Sequence, residues 1–207
     1  MLRSDYYEQL KECARDMRAR FGLHTPRVLR SDLRRIYRVE GIRIDLWPYK
    51  LRRLRGAYFN DESGPTVMLA KGLPEDPMVF TMGHELKHHL IDRGSSLSYC
   101  DSSNQSNPIE IGAEIFAAEL IYPDADFRSD VTNMKAKDSK CTPEVLIRLK
   151  RETRTTLSYA GLAKKAEFMG FAESGSLAGV KWKKLEEEIY GAPIYKLLSQ
   201  RRRRSVQ

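Results

Sequence analysis

Residues 80–90 read Phe80-Thr81-Met82-Gly83-His84-Glu85-Leu86-Lys87-His88-His89-Leu90, and His84 to His88 satisfy the pattern H-E-x-x-H. On an α-helix, residues i and i+4 lie on one face, about 6 Å apart along the axis. His84 and His88 can therefore offer imidazole nitrogens to one ion at zinc–nitrogen distances of about 2.0–2.1 Å. Glu85 follows the first of them and can serve as general base to a water that Zn²⁺ has acidified to a pKa of about 7. Three of the four histidines in the 207-residue chain fall within six residues, which composition alone does not explain.

Working outward, Pro74 and Pro77 open the helix that carries the pattern. It is expected to run from about residue 75 to Asp92, with Val79, Phe80, Leu86 and Leu90 inward and Gly94 as its stop. Upstream, Leu54–Phe59 and Thr66–Ala70 read as strands. The turn-forming run Asn60-Asp61-Glu62-Ser63-Gly64-Pro65 joins them as a hairpin. Ile42, Ile44 and Leu46 alternate with Arg43 and Asp45, which predicts a half-buried strand before the hairpin. Tyr7, Leu10, Ala14 and Met17 recur at helical spacing within residues 4–20. Thr25-Pro26 predicts the start of a second helix reaching Val39, stopped by Gly41. Downstream, residues 95–108 are rich in Ser and Asn and predict a loop, and an apolar helix follows from Ile109 to Ile121 until Pro123. Residues 124–139 are ambiguous. Helices are expected from Thr142-Pro143-Glu144 and over Leu157–Met169, with shorter segments around 181–189 and 193–199.

Composition narrows the class. The 41% hydrophobic content supplies a core, and no apolar run approaches the roughly 20 residues that span a bilayer. Cys13, Cys100 and Cys141 are odd in number and widely spaced, without C-x-x-C, so neither a disulfide framework nor a thiolate zinc knuckle is expected. The reading is a reduced, cytoplasmic protein with no membrane partner. The net charge of +8 is uneven: residues 1–60 hold 15 Lys/Arg against 7 Asp/Glu, residues 61–135 hold 5 against 13, and residues 136–207 hold 16 against 8. The acidic middle favours a divalent cation. The basic flanks read as solvated helix faces, with weak nucleic-acid contact as the alternative, and Arg201–Arg204 as a basic tail.

A catalytic zinc site takes three protein ligands and keeps one position open. A third histidine six residues past His88 would complete one arrangement, but that position is Gly94, so a carboxylate on a later helix is required. Glu110 and Glu114 stand i,i+4 on one face of the apolar helix, where acids are costly unless a cation meets them. Glu110 can bind the ion, and Glu114 can accept the far N–H of a ligand histidine and fix its orientation. Glu119 falls off that face and is expected to be exposed. Donors to a developing oxyanion include Tyr99, His89, Tyr58 and Tyr122, among which the sequence does not choose. For His89, one helical step round from His88, a surface place or a place behind a ligand is the plainer reading. Cys100 lies between the two ligand helices, where a plain loop cysteine is expected.

The segment Phe80–Leu90, followed by Glu110-Ile111-Gly112-Ala113-Glu114-Ile115-Phe116-Ala117-Ala118-Glu119-Leu120-Ile121-Tyr122-Pro123, resembles the ImmA/IrrE family of metallopeptidases. That family shows an FTxAHELGHxLL helix and then an ExxANxFAAELLMP helix. The likeness is strongest over residues 54–123, and residues 157–171 resemble the family's VSxxAxxxRLxxLG segment. The resemblance implies His84, His88 and Glu110 as metal ligands, Glu85 as catalytic base, Zn²⁺ as cofactor, and a helix-turn-helix repressor as substrate. It also implies a thermolysin-like zincin core. The fold class is accordingly α+β: a small, mostly antiparallel three-stranded sheet packed with the H-E-x-x-H and glutamate-bearing helices, plus a helical C-terminal region. The expected layout is a metallopeptidase domain over 1–140, the helical region over 141–200 and the tail over 201–207. Lys87 stands where the family has Gly, and its long stem is expected to carry the charge out to solvent. Glu114 stands where Asn is commoner, and Tyr122 where Met precedes the proline. The alternative function is a DNA-associated regulatory or metal-sensing protein whose zinc fold is not catalytic.

Overall fold

The computed structural model describes residues 3–48, 55–92, 97–99 (backbone), 107–136 and 139–193. Gly94, Cys100, the tail Arg201–Arg204, Leu54 at the expected start of the second strand and residues 194–199 of the last short segment lie outside the described residues. The chain divides into two compact units, one formed by 1–129 with 153–158, the other by 130–152 with 159–207.

The first unit opens with helix α1 (Arg3–Phe21), whose buried residues Leu10, Ala14, Met17 and Phe21 form the stripe that the periodicity predicts. Helix α2 (Arg30–Val39) starts four residues later than Thr25-Pro26 suggests. The intervening backbone is held by partners distant in sequence: Thr156 Oγ1 donates to the Val28 carbonyl at 2.7 Å, and the Thr156 N–H to that of Pro26 at 3.4 Å. The helix begins where the Asp32 carboxylate accepts the Leu29 N–H at 2.9 Å.

Strands β1 (Arg43–Trp47), β2 (Gly56–Asp61), β3 (Gly64–Ala70) and β4 (Leu97–Tyr99) form one sheet in the order β1-β3-β2-β4. The three strands read from the sequence are present. β2 and β3 make the expected antiparallel hairpin, with Tyr58 opposite Val67 and Asp61 opposite Gly64. β1 lies parallel to β3, Ile44 opposite Val67, so the sheet is mixed. Residues 97–99, expected as loop, add antiparallel to β2, with Ala57 opposite Tyr99. Three residues are too few for a periodic signal; the strand exists because β2 offers backbone groups that need partners.

Helix α3 (Glu75–Ile91) packs on β2, β3 and α2, and against α4 (Pro108–Ile121). Its residues are buried all round: Val79, Met82 and Leu86, but also His84, Glu85, Lys87, His88 and His89. A helix surrounded on every side is the centre of its unit, so each polar group on it needs a partner inside the protein. Tyr37 of α2 supplies one such contact, its hydroxyl donating to the Met82 carbonyl at 2.7 Å.

α4 begins after Asn107, whose side chain accepts the Ile109 N–H at 3.0 Å, and Pro108 follows as the first helical residue. At its other end Arg18 of α1 donates to the carbonyls of Leu120 at 2.8 Å and Ile121 at 3.2 Å, groups that a helix end leaves without an internal partner. Glu119 is not exposed, contrary to expectation. It is 1% accessible, accepts Arg15 Nη1–H at 3.1 Å and the Asp124 N–H at 2.9 Å, and so ties α1 to the start of helix α5 (Asp124–Met134).

In the second unit, α6 (Pro143–Thr153) buries Leu146, Ile147 and Leu149, and α7 (Tyr159–Phe168) buries Leu162, Ala163 and Ala166. Trp182 of α8 (Trp182–Tyr190) stacks on Tyr159 with ring centroids 5.3 Å apart. No helix among the described residues is long and apolar enough to cross a membrane.

Candidate metal centre

His84 and His88 lie one turn apart on α3, and α4 brings Glu110 to them. The helices approach closely where Gly83 faces Ala117: a Cβ at position 83 would sit 3.3 Å from that of Ala117. That small-residue contact lets a carboxylate in the first turn of α4 reach imidazoles in the second half of α3. His84 Nε2 stands 3.1 Å from Glu110 Oε2, His88 Nε2 stands 3.3 Å from His84 Nε2, and His88 Nε2 stands 3.6 Å from Glu110 Oε1.

These separations test whether an ion fits. Ligand atoms about 2.0–2.1 Å from a tetrahedral centre lie about 3.3 Å from one another. The three observed separations, which use Glu110 Oε2 toward His84 and Oε1 toward His88, bracket that value, all three residues are buried, and each offers one donor atom within 4.8 Å of the others. Two neutral imidazoles and one carboxylate are a donor set that suits zinc. The group can hold a metal ion.

Glu85, on the adjacent face of α3, has no accessible surface and, among the described residues, no hydrogen-bond partner for either carboxylate oxygen. Burial pushes its carboxyl up to about 8; nearby His88 opposes this and Glu110 adds to it. Strand β2 closes the other side at Gly56. A Cβ there would lie 2.5 Å from Thr81 Cγ2 and 2.9 Å from Glu85 Oε1, so only glycine admits the strand this close.

Behind the histidines is a partner that the sequence reading missed. Asp92 Oδ2 lies 2.7 Å from His88 Nδ1, and donation by Nδ1–H leaves the Nε2 lone pair directed at the cluster. The available signal was its spacing: 84, 88 and 92 follow one another on one helical face. Burial raises the Asp92 carboxyl, but hydrogen bonds from His88 and Lys87 outweigh it and hold it below its ordinary value. At Glu110, too, burial is outweighed, first by the hydrogen bond and charge of His84, then by His88 and Lys87.

Lys87 does not reach solvent, as its long stem suggested. It is 0% accessible, with Nζ donating to Asp92 Oδ2 at 2.7 Å and to the Ile109 carbonyl at 3.1 Å. Its charge stays inside because the Asp92 carboxylate is close enough to pair with it and the Ile109 carbonyl, in the first turn of α4, accepts a second hydrogen bond.

Of the other sequence candidates, His89 is buried rather than on the surface, its Nδ1 3.2 Å from the Tyr58 hydroxyl, and the two rings meet edge to face. Tyr122 is buried with its ring edge-on to Phe127, 5.4 Å between centroids. Tyr99 ends β4, and its side chain lies outside the described part. Glu114 stands one turn beyond Glu110 on α4, half-buried.

Comparison with known proteins agrees with the geometry. The family model described as Peptidase_M78, IrrE N-terminal-like domain, matches residues 38–161, which include α3, α4 and all four strands. Among curated proteins no match is found. Since the match covers 124 of the 207 residues and contains a buried His-His-Glu group able to hold a metal, this chain belongs to the ImmA/IrrE family, whose members are of metallopeptidase type.

Proposed function

We propose that the chain is a zinc-dependent endopeptidase that hydrolyses a peptide bond in a regulatory protein, a helix-turn-helix transcriptional repressor, in the cytoplasm. The observation that carries the reading is a buried, unpartnered carboxyl, Glu85, one residue from a His84–His88–Glu110 triangle of zinc-sized edges. A purely structural metal site has no use for such a group, and a buried acid without a partner is expensive to keep.

His84 Nε2, His88 Nε2 and the Glu110 carboxylate would hold the ion. When bound, the ion supplies Lewis acidity, polarising a carbonyl oxygen and acidifying water. The chain's own residues supply the rest. Asp92 fixes the tautomer of His88. Glu114 is assigned the matching task toward the far nitrogen of His84. Glu85 takes the proton of the attacking water and passes it to the departing amine, a role suited to a carboxyl whose affinity for protons is already raised.

The family resemblance implies the repressor substrate; the acidic middle of the chain, with 13 Asp/Glu against 5 Lys/Arg over residues 61–135, favours only that the segment bound is basic. The test is cleavage of purified helix-turn-helix repressors, read by mass spectrometry, with wild type and Glu85→Gln. Loss of cleavage with fold and zinc content retained supports the enzyme. A second reading, a DNA-associated regulator, draws on the 16 Lys/Arg against 8 Asp/Glu of residues 136–207. It prevails if Glu85→Gln is fully functional and Arg/Lys changes in 148–165 abolish a salt-sensitive DNA complex.

A further inference from the structure

Lys87 is a fully buried cation in the middle of the ligand helix, between His84-Glu85 and His88. An ammonium held away from water is costly unless it is paired and hydrogen-bonded, so its partners show what keeps it there. Nζ donates to Asp92 Oδ2 at 2.7 Å, and that same oxygen lies 2.7 Å from His88 Nδ1. Nζ also donates at 3.1 Å to the carbonyl of Ile109, the residue before Glu110. The ring of Tyr6 in α1 closes a third side, its centroid 5.9 Å from Nζ. One nitrogen thus joins the carboxylate that orients one ligand to the backbone that carries another, and it bridges the end of α3 to the first turn of α4. The glycine of the family pattern has no side chain to make any of these contacts.

We propose that Lys87 is a positioning residue that sets the spacing of the histidine helix and the Glu110 helix, so that the three donor atoms are preorganised for the ion. The proposal rests on the metal-site reading above and adds to it a residue that touches neither ion nor substrate. Removing the ammonium frees Asp92 to rotate away from His88 and frees the first turn of α4 to drift. The ligand triangle then has to be reassembled when the ion binds, and affinity falls.

The test uses the full chain as wild type, Lys87→Met and Lys87→Gln. Zinc affinity is measured by competition with a chromogenic chelator, ligand geometry by the visible spectrum of the Co²⁺-substituted protein, and fold by circular dichroism. Lys87→Met is expected to weaken zinc binding about 10- to 100-fold and to alter the Co²⁺ bands. Lys87→Gln, whose amide can donate to one of the two acceptors, is expected to fall between. Folded variants that bind zinc within about twofold of wild type with an unchanged Co²⁺ spectrum overturn the proposal, even if they melt at lower temperature. Should Lys87→Met not fold, Lys87→Gln decides by the same two readouts, and should neither fold, Lys87 supports the fold as a whole and the proposal fails. A wild type that takes up no zinc overturns the metal-site reading itself, whereas tight wild-type binding with indifferent variants overturns only the role of Lys87.

Discussion

Glu85→Gln should stabilise the metal-free protein, and increasingly so as pH rises. In the folded chain the carboxyl holds its proton up to about pH 8, against an ordinary value of 4.5. Between those values the folded state binds a proton that the unfolded state has released, so stability falls as pH rises through the window. Each pH unit of separation corresponds to about 1.4 kcal/mol, so the full effect above pH 8 is about 5 kcal/mol. At pH 5 less than about 1 kcal/mol of it has developed, and at pH 8 about 4 kcal/mol. Glutamine has nearly the same shape and does not ionise, so the variant lacks this slope.

The assay is urea unfolding of chelator-treated wild type and variant at pH 5 and pH 8. Comparing the two pH responses cancels the other titrating groups common to both proteins. The wild type should lose about 3 kcal/mol more than the variant between the two pH values. A difference below about 1 kcal/mol would refute the reasoning, because it would mean that Glu85 is solvated or finds a partner in solution. Zinc should erase most of the difference, since a cation beside the carboxylate removes the reason for holding the proton.

Four further outcomes follow from other contacts. Asp92→Asn should weaken zinc binding about 10- to 100-fold by chelator competition, since a neutral amide loses the charge that strengthens the hydrogen bonds from His88 Nδ1 and Lys87 Nζ. Gly56→Ala should destabilise by about 1–3 kcal/mol in urea, and Thr81→Ser in the same chain should recover part of it by removing the methyl 2.5 Å from the added Cβ. Arg18→Met should cost about 2–4 kcal/mol in urea unfolding, because the carbonyls of Leu120, Ile121 and Thr25 lose their donor. Saturating zinc at about 100 times its Kd should raise unfolding free energy by about 2.7 kcal/mol, an increment that His84→Ala abolishes.

The elements that the sequence made legible are those with long periodic signals. Helix α3 could be read to within a residue, because Pro74 and Pro77 mark its start and the histidine spacing requires one face. Glu110 was legible because an acid in an apolar helix demands a cation, and the fold places it 3.1 Å from His84. What escaped depends on partners distant in sequence. The late start of α2 is decided by Thr156, and the burial of Glu119 by Arg15 and the start of α5. Lys87 was misjudged for a different reason, since its partner is only five residues away: a lysine stem snorkels only if no acid lies nearer than solvent, and Asp92 does.

The two carboxyls beside the histidine pair behave in opposite ways. Glu110 is held below its ordinary value by His84, His88 and Lys87 despite its burial, whereas Glu85, buried without a hydrogen bond, is raised to about 8. Environments that push paired acids apart separate their tasks: the one that stays ionised binds charge, the one that keeps a proton moves it. Charge counting leads to the same place. Asp92 and Lys87 neutralise one another through a 2.7 Å contact, which leaves Glu85 and Glu110 as the acids beside the histidine pair. A divalent cation held by His84, His88 and Glu110 would balance these two carboxylates. Burial without a hydrogen bond among the described residues favours the proton on Glu85. A bound cation beside the carboxylate removes that preference, so release of the Glu85 proton at lower pH on adding Zn²⁺, followed by potentiometric titration, should be seen in the wild type and not in Glu85→Gln.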